Sequence, residues 1–575
     1  MDVQDYNYEK RAKDVILADI TSSDENADIL EMLGDNDPEF TTLSIDTVFD
    51  DESHFVVEEG DDLGWLGYFV GESTQLKELY IYNFPRSLKV DAFFGGLGHN
   101  RSIQNLHIST DLRDSFQSLG PFLRNNDNLR YLTFDETDLG DEGLVEIASA
   151  LSTQPQLVRV TNNYVGSDGC VALGTLFQGW INPNLTTLDL GGNVIDDEGL
   201  ETLVVGMKNC HKLTELLLYG NDLISDVGLK PLSTLFQSDS CCLESLNLGE
   251  VNIGNDGAGV LAAGLASLSS LKGLYLSDNS IGDEGLEALV AGLTSCNLEV
   301  LNLSRNVFSI SGLRTLGNLV QRTASLLVLD LSRNNIDDEG LQCLIESIAN
   351  CCDLSYLDLS DNHSITASGL RSFSPFFQSD NCCMETLKLF GINFGDDGAV
   401  ALANMLKGNK SLKSLNFIPE SAGITALGWS ACSRLLCDTS SVNNTFLSNH
   451  TLCTIGNYGN DDTPPDIMKY LMLNGDPHKH HATICKVIEN HPDIDMEPLF
   501  QWKLKFLPLI VNWFEEARIH QDVESAEVFQ CRELSTVYKF VRGLPMLTVD
   551  RYRYRNQKVK DVIQSKSKKR KFDKE

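Results

Sequence analysis

The sequence is dominated by one phrase of about 28 residues that recurs along most of its length. Between Leu326 and Leu341 the phrase places leucine at relative positions one, four and six, asparagine at nine, and Asp-Asp-Glu-Gly ahead of a helical run. Copies begin at 129, 157, 185, 213, 243, 271, 298, 326, 354, 384 and 412. A fixed period of this size, pairing one short strand with one helix, predicts a stacked array in which each repeat contacts only its neighbours.

Side-chain alternation assigns each strand position to one face of the predicted sheet. Positions four and six point into the core, whereas positions three, five and seven project from the opposite, concave face. The first Asp of the acidic turn is expected to cap the helix that follows. The asparagine at position nine is expected to hydrogen-bond to loop backbone groups, so that successive asparagines form a ladder. Val251 and Ile392 interrupt this ladder. Its members are Asn193, Asn221, Asn279, Asn306, Asn334 and Asn362.

Period and charge divide the chain into five parts. Phe40 to Ile45 predicts the first strand, Asp50 to Asp62 a loop, and Trp65 to Val70 an apolar cover over the first repeat. A helix is expected around Ala27 to Leu33. The parts are an acidic, partly disordered leader (1–39), an N-terminal cap (40–75), the solenoid (76–456), a helical C-terminal cap (461–547) and a basic tail (548–575).

The pattern changes at the end of the array. Leu447 to Leu452 is interpreted as a final strand in which the repeat pattern is degenerate. Thr463-Pro-Pro-Asp466 then predicts a helix start, because proline is favoured at the first helical position, and amphipathic runs follow. The predicted fold class is α/β: a solenoid bent into a horseshoe, with an inner parallel sheet of about 14 or 15 strands, outer helices and an all-helical C-terminal cap.

Composition favours a protein partner over nucleic acid. The formal net charge is -37, yet residues 541–575 hold 12 Lys/Arg against 4 Asp/Glu. An acidic surface repels phosphate, which disfavours nucleic acid on the solenoid but not on the tail. The N-terminus lacks a signal-peptide pattern and no window offers about 18 consecutive apolar residues, so we expect no membrane association and a cytoplasmic or nuclear location.

Cysteines recur near the joints between repeats. Their shared position predicts small buried fillers rather than a disulfide framework or a zinc site. The joint cysteines are Cys210, Cys241, Cys242, Cys296, Cys351, Cys352, Cys382 and Cys383.

Motifs of known chemistry are absent from the sequence, which holds no phosphate-binding loop, nucleophile elbow or zinc-protease helix. The cluster Asp476-Pro-His-Lys-His-His481, with Cys485 beyond it, could hold a metal, but a solvated loop that opens a helix explains it as well. We therefore predict a protein without catalytic activity, cofactor or metal.

Tyrosines and acids interleave at the positions that face the concave surface. Tyrosine buries a large area with few torsions, and acids select basic partners, so this face is predicted to bind a basic or amphipathic protein segment. The candidate contact residues are Tyr80, Tyr82, His107, Tyr131, Asp135, Asp189, Glu215, Tyr219, Tyr275, Asp330, Tyr356 and Asp358.

The tail carries two basic motifs. Arg551-Tyr-Arg-Tyr-Arg555 alternates bases and aromatics in a way that suits single-stranded nucleic acid. A second cluster predicts a nuclear import signal, although a merely solvated basic end has the same composition. That cluster comprises Lys566, Lys568, Lys569, Arg570 and Lys571.

The repeat phrase, from Leu76 to Leu452, resembles the ribonuclease-inhibitor-like class of leucine-rich repeats. That resemblance implies a horseshoe that binds proteins. The block from His491 to Arg542 is similar to the helical tail of uncharacterised repeat proteins of diatom-like algae, which implies no established activity. The class also includes the acidic Ran GTPase-activating proteins. Their activity is the alternative function, although their tails look acidic and none of their catalytic residues matches a motif here.

Overall fold

A computed structural model describes most of the chain through residue 491. The described residues are 8, 20–21, 23–47, 54–57, 63–84, 90–112, 115–181, 183–323, 325–348, 353–379, 381–456, 463–477 and 479–491. They fall into two compact units, Met1–Ser364 and Ile365–Glu575, here called the N-terminal and the C-terminal unit.

The N-terminal unit contains a parallel sheet of thirteen strands in which each repeat adds one strand beside the last. The exception is β2, which lies at the sheet edge beyond β1. The strands are β1 (Thr42–Asp46), β2 (His54–Val56), β3 (Glu78–Tyr82), β4 (Asn105–Ser109), β5 (Tyr131–Asp135), β6 (Leu157–Thr161), β7 (Thr187–Asp189), β8 (Glu215–Leu217), β9 (Ser245–Asn247), β10 (Gly273–Tyr275), β11 (Val300–Asn302), β12 (Val328–Asp330) and β13 (Tyr356–Asp358).

Helices alternate with these strands. They are α1 (Asp24–Gly34), α2 (Leu63–Glu72), α3 (Asp91–Leu97), α4 (Gly120–Asn125), α5 (Gly140–Ala150), α6 (Ser167–Gly179), α7 (Asp197–Met207), α8 (Leu229–Phe236), α9 (Asn255–Leu265), α10 (Asp283–Gly292), α11 (Ile310–Arg322) and α12 (Asp338–Ile348). Short 3-10 turns span Phe116–Leu119 and Leu293–Ser295. Helix α1 confirms the helix predicted around Ala27 to Leu33.

The C-terminal unit continues the alternation with three parallel strands and eight helices among its described residues. The strands are β14 (Thr386–Lys388), β15 (Ser414–Asn416) and β16 (Thr454–Ile455). The helices are α13 (Ala367–Leu370), α14 (Ser374–Phe377), α15 (Gly395–Met405), α16 (Pro419–Ala422), α17 (Ala426–Leu436), α18 (Val442–Phe446), α19 (Pro465–Asn474) and α20 (Lys479–Asn490), and a 3-10 turn spans Arg371–Phe373. The α/β repeat fold class is therefore confirmed, and α19 begins with the predicted proline.

The core consists of the leucines at positions one, four and six. Leu326, Leu329 and Leu331 are each at most 1% exposed, and equivalent leucines pair across neighbouring strands. Each fully buried leucine contributes about 1.5–3 kcal/mol of transfer free energy. Repetition of this contribution at every strand holds the array together.

The predicted asparagine ladder is present. In one rung, the side-chain amide of Asn334 donates to the carbonyls of Leu303 (3.0 Å), Leu331 (3.0 Å) and Ser332 (3.2 Å), and its Oδ1 accepts from the N–H of Asn306 (2.9 Å). Asn163 belongs to the same ladder, which the sequence-based prediction omitted. Val251 and Ile392 interrupt the ladder and are fully buried. The ladder therefore satisfies loop carbonyls that lie out of reach of water.

The acidic turn caps two helices rather than one. Asp196 accepts from the N–H of Gly199 in its own repeat (2.9 Å), as predicted. The next residue, Asp197, reaches into the following repeat, where it accepts from the N–H groups of Ser225 (2.7 Å) and Gly228 (3.0 Å). Asp141, Asp283 and Asp396 make the same bonds to their following repeats. Consecutive acids therefore satisfy helix N-termini on two adjacent repeats.

These caps predict acid sensitivity. The hydrogen bond from Ser167 holds the pKa of Asp196 below its ordinary value, and that from Thr425 does the same for Asp396. Burial acts to raise the pKa of Asp283, but bonds from Ser309 and Gly312 outweigh it. Because each folded pKa is depressed, the stabilisation is complete above the unfolded pKa of about 3.9 and is lost as pH falls through the folded value.

Thermal unfolding of the full chain should show this dependence. We expect the midpoint to fall between about pH 5 and about pH 2. The triple variant Asp196→Asn, Asp283→Asn, Asp396→Asn keeps the Oδ1 that accepts from backbone N–H groups, replaces Oδ2 by an amide nitrogen and removes the charges. It should be less stable at neutral pH and lose less stability on acidification. Parallel curves for the two proteins would show that these carboxylates do not carry the effect.

Two predicted element boundaries near the chain ends were wrong. Residues 54–56, predicted to lie in a loop, form β2, because Phe55 is 1% exposed and a β-branched valine follows it. The predicted last strand, Leu447 to Leu452, begins too early: β16 is Thr454–Ile455 and Leu452 is a buried position-one leucine. With β2 included, the described residues contain sixteen strands rather than 14 or 15.

The repeat start at residue 157 was also wrong. Leu157 pairs with Thr187, a position-three residue, so this repeat begins at Pro155. Val158 and Val160 occupy the buried positions four and six. Valine in place of leucine concealed the register in the sequence.

The cysteine prediction holds for only part of the set. Cys210 and Cys296 are buried, and burial raises the pKa of the Cys210 thiol to about 12. Cys383 is exposed, so the filler interpretation is wrong there. Cys351 and Cys352 lie outside the described residues.

A second series of asparagines stands at the helix-to-strand joints of the C-terminal unit. The side-chain amides of Asn409, Asn449 and Asn474 donate to backbone carbonyls of the preceding repeat or turn. The bonds run to Phe377 O (3.0 Å), Leu406 O (3.0 Å) and Leu452 O (2.7 Å), respectively.

A buried lysine follows this series. Lys486 on α20 has no exposed surface. Its ammonium lies 5.8 Å from the ring centre of Tyr470. Its Nζ donates to Leu436 O (2.7 Å), Asn474 Oδ1 (2.7 Å) and Asn449 O (3.0 Å), and lies 3.3 Å from His450 Nδ1. The side chain thereby connects α17, α19 and the turn before β16.

Candidate functional site

The predicted contact residues all lie in the N-terminal unit, in three parallel rows on the sheet face that alternates with the leucine core. This face, made of positions three, five and seven of β3 to β13, is called the open face. Row three contains Tyr131, Glu215 and Tyr356; row five contains Tyr80, His107, Asp189, Tyr275, Asp330 and Asp358; row seven contains Tyr82, Asp135 and Tyr219.

An aromatic cluster occupies the first strands of the open face. Tyr80 and Tyr82 are stacked, with ring centres 6.4 Å apart and planes inclined by 7°. The ring of His107 on β4 lies 6.0 Å from Tyr80 and 5.1 Å from Tyr82. The three half-buried rings, here called the aromatic cluster, form one continuous surface across two strands.

The aromatic cluster is uncharged at neutral pH. Burial raises the pKa of Tyr80, assisted by the charge of Glu78, and burial together with Asp46 raises that of Tyr82. Burial lowers the pKa of His107 below its ordinary value of about 6.5, although the charge of Asp135 opposes the shift. The cluster therefore offers neutral rings and hydroxyl groups.

One basic residue interrupts the acids of the open face. Arg159 on β6 pairs with Asp189 on β7, with Nε and Oδ2 2.8 Å apart. The Arg159 side chain is 42% exposed whereas that of Asp189 is 4% exposed. Arg159 was missing from the predicted site, although a lone arginine within the apolar alternation of β6 signals a residue on the open face.

Tyr219 lies beside this ion pair. An added Cβ at Gly191 would come within 2.3 Å of the Tyr219 ring, so the ring packs across the glycine backbone of the preceding repeat. Burial raises the pKa of Tyr219, and the charge of Asp189 adds to the shift. Glycine at 191 is what lets this aromatic side chain lie flat.

Three of the predicted acids have a local structural role. Asp189, Asp330 and Asp358 each accept a hydrogen bond from the N–H two residues later, at 3.2, 2.9 and 2.9 Å. Asn247 and Asn302 do the same in row five of their repeats. An oxygen acceptor at position five therefore serves the turn after the strand, and these acids need no partner to explain them.

The remaining acids also have partners within the protein but stay on the open face. Asp135 accepts from Thr161 Oγ1 at 2.6 Å, and Glu215, which is exposed, accepts from Thr187 Oγ1 at 3.1 Å. Hydroxyl partners leave the carboxylate charges uncompensated. The open face thus keeps a negative potential around its rings.

Several sequence predictions lie beyond the described part of the chain. The import cluster from Lys566 to Lys571 and the Arg551 to Arg555 motif are outside it, as is His478 of the candidate metal cluster. Across the described ranges, no group of three His, Cys, Asp or Glu residues is arranged to hold a metal ion. No helix in those ranges has the length and apolarity needed to cross a membrane.

The repeats match a known family model. The model described as Leucine Rich repeat matches residues 182–204, 209–233, 267–290, 324–344, 350–374 and 380–403. Ribonuclease inhibitor of Sus scrofa is 29% identical over 295 residues, covering 50% of this chain and 58% of the inhibitor. The chain therefore contains leucine-rich repeats and is similar to ribonuclease inhibitor over half of its length.

Other leucine-rich-repeat proteins match shorter or less similar regions. The protein named NACHT, LRR and PYD domains-containing protein 9, of Bos taurus, is 29% identical over 190 residues, 28% of this chain and 19% of that protein. Less than two thirds of either curated relative is therefore matched. The alignment with the crystal structure of the Rad7 and Elc1 complex in yeast covers 59% of this chain and 80% of the matched chain, at 16% identity and a TM-score of 0.33. Leucine-rich-repeat proteins typically act as protein-interaction scaffolds.

Proposed function

We propose that this leucine-rich-repeat protein is a non-catalytic scaffold that binds a basic or amphipathic protein segment on its open face. The aromatic cluster is the observation that carries the proposal. Rings of this kind bury a large contact area at small entropic cost and are enriched among residues that dominate binding energies. Tyr80, Tyr82 and His107 would supply the apolar anchor.

Charge on the open face would select the partner. Asp135 and Glu215 remain charged beside the rings, whereas Arg159 is already paired with Asp189. The uncompensated negative potential would attract a lysine or arginine of the partner, and an acidic partner would be repelled. The proposal extends to a cytoplasmic or nuclear location, with the cluster from Lys566 to Lys571 as the import signal.

Binding by a purified partner tests the proposal. A protein captured on the unmodified chain should bind Tyr82→Ala at least tenfold more weakly, since truncating a central anchor costs about 2 kcal/mol or more. Affinity should also fall between about 0.1 M and about 1 M salt, as the Debye length shortens from about 10 Å to about 3 Å. Val171→Ala, an exposed apolar truncation on helix α6, is the matched control and should bind normally. A partner that ignores both salt and Tyr82 would exclude this mode of binding.

A further inference from the structure

A row of exposed apolar side chains lies at the edge of the N-terminal unit where strands pass into helices. Tyr164 is 68% exposed, Val194 39%, Leu223 55% and Val227 53%. They come from the three consecutive repeats whose strands are β6, β7 and β8. These four residues are called the edge strip. Contiguous exposed apolar residues of this kind mark interaction surfaces more often than isolated ones do.

Backbone hydrogen bonds place the loops of the edge strip side by side. The N–H of Val194 donates to the carbonyl of Val165, the residue after Tyr164, at 2.9 Å. The N–H of Ile195 donates to Oδ1 of Asn221, two residues before Leu223, at 3.0 Å. The strip therefore runs from repeat to repeat along the edge, separate from the aromatic cluster.

Tyr164 is held in an unfavourable backbone conformation. Its φ is 57°, in the left-handed region. Tyr164 directly follows the ladder position. In two other repeats the equivalent residues are Asp138 and Asn252, whose φ angles are 53° and 54°. Asp and Asn tolerate this region, but a bulky aromatic residue there carries strain. An exposed tyrosine at a strained position stabilises neither the core nor the turn, and such strain is concentrated at functional sites.

The surroundings of the edge strip are acidic. Asp168, Glu198, Asp222 and Asp226 are exposed on the same three repeats. The sequence has no lysine or arginine between Val160 and Met207, and around Leu223 and Val227 the nearest basic residue in sequence is the exposed Lys230. A partner that covers the apolar side chains must therefore carry basic residues beside its own apolar ones.

The spacing of the strip fits one secondary structure. Neighbouring strands are about 4.8 Å apart, so successive repeats present an apolar side chain about every 5 Å. An α-helix rises about 5.4 Å per turn and presents residues i, i+3 or i+4, and i+7 on one face. We propose that the edge strip binds a basic amphipathic helix of a protein partner, with three apolar residues of that helix seated on three consecutive repeats. This binding goes beyond the open-face function and does not depend on it.

A designed peptide tests the proposal directly. The probe is a fluorescein-labelled helix of about 18 residues with leucine along one face and lysine elsewhere. A peptide of the same composition with its leucines scattered around the helix is its control. We expect the amphipathic peptide to bind the full chain, the scattered peptide to bind at least tenfold more weakly, and hydrogen exchange to slow in residues 162–168, 192–198 and 220–228.

Two variants separate binding from structure. Tyr164→Asn introduces the residue type found at Asn252. It should therefore preserve or raise the midpoint of thermal unfolding while lowering the affinity for the peptide about tenfold. Leu223→Ser should lower the affinity for the peptide by a similar factor. Ile181→Ser, which removes an 82% exposed residue outside the strip, should leave peptide affinity unchanged. Normal affinity of Tyr164→Asn and Leu223→Ser, equal binding of the two peptides, or the absence of protection in the three named segments would overturn the proposal.

Discussion

Replacing Lys486 by methionine is expected to detach helix α20 from the C-terminal unit. Methionine keeps a long apolar stem but no donor, so the buried oxygens of Leu436 and Asn474 lose the ammonium, whereas Asn449 O keeps the side-chain amide of Asn474 as a donor. Each orphaned acceptor costs about 1–3 kcal/mol, and bonds to a charged donor lie at the upper end. The lost bonds join α20 to α17, α19 and the turn before β16, so α20 should open locally before the strands do.

Lys469 provides the matched control for this substitution. It lies on α19, is 43% exposed, and pairs with Glu489 on α20. The Lys469 side chain is exposed, although that of Glu489 is only 13% exposed, so loss of this ion pair should cost about 1 kcal/mol, less than the loss in Lys486→Met. Amide exchange of α20 and proteolytic cleavage near residue 478 are the measurements. Comparable protection in the two variants would show that the buried ammonium is not what holds the helix.

Most of the repeat fold was predictable because the same local physics recurs in every copy. Strand alternation alone predicts that Leu329 and Leu331 are buried. Asn334 occupies the ladder position, at which six repeats have asparagine in the sequence. Prediction failed where a repeat departs from leucine. Val158 and Val160 hid the register of β6, and Phe55 sits in a short strand surrounded by acids.

Interactions between repeats were harder to predict than positions within them. The caps made by Asp197 and Asp283 join residues about one repeat apart, and a sequence offers no sign of which of two adjacent acids reaches the following repeat. The contacts of Lys486 reach as far as Leu436 and depend on how α20 packs. A lysine in an amphipathic helix ordinarily predicts a solvated side chain.

The sequence predicted where the candidate residues lie on the sheet, but not the local hydrogen bonds of three of the acids. All twelve residues lie in the expected rows, because strand alternation fixes the face. Three of the acids, Asp189, Asp330 and Asp358, accept bonds from their own turns, and the sequence cannot distinguish such an acceptor from a carboxylate held for a partner. The aromatic cluster likewise required the register of β3 and β4, which brings Tyr80 beside His107.

The ladder itself predicts the second large effect, in the N-terminal unit. Asn334→Ala removes one acceptor and two donors from a buried site, where the residue is only 5% exposed. The N–H of Asn306 then loses its acceptor, at a cost of about 1–3 kcal/mol. The carbonyls of Leu303 and Leu331 each lose one donor but keep a second, from the amides of Asn306 and Asn362. Val251 occupies the same position in its own repeat, so the array should survive with a local loss rather than unfold entirely.

The adjacent Asn335 gives a control of identical chemistry. It is exposed, so Asn335→Ala should change stability by less than about 0.5 kcal/mol. A stacked array need not unfold in two states, and the informative readout is therefore local amide exchange. Because the N–H of Asn306 donates to Asn334, its exchange should accelerate at least tenfold in Asn334→Ala and remain unchanged in Asn335→Ala. Equal exchange in the two variants would mean that the side-chain ladder follows the packing of the leucines and does not stabilise it.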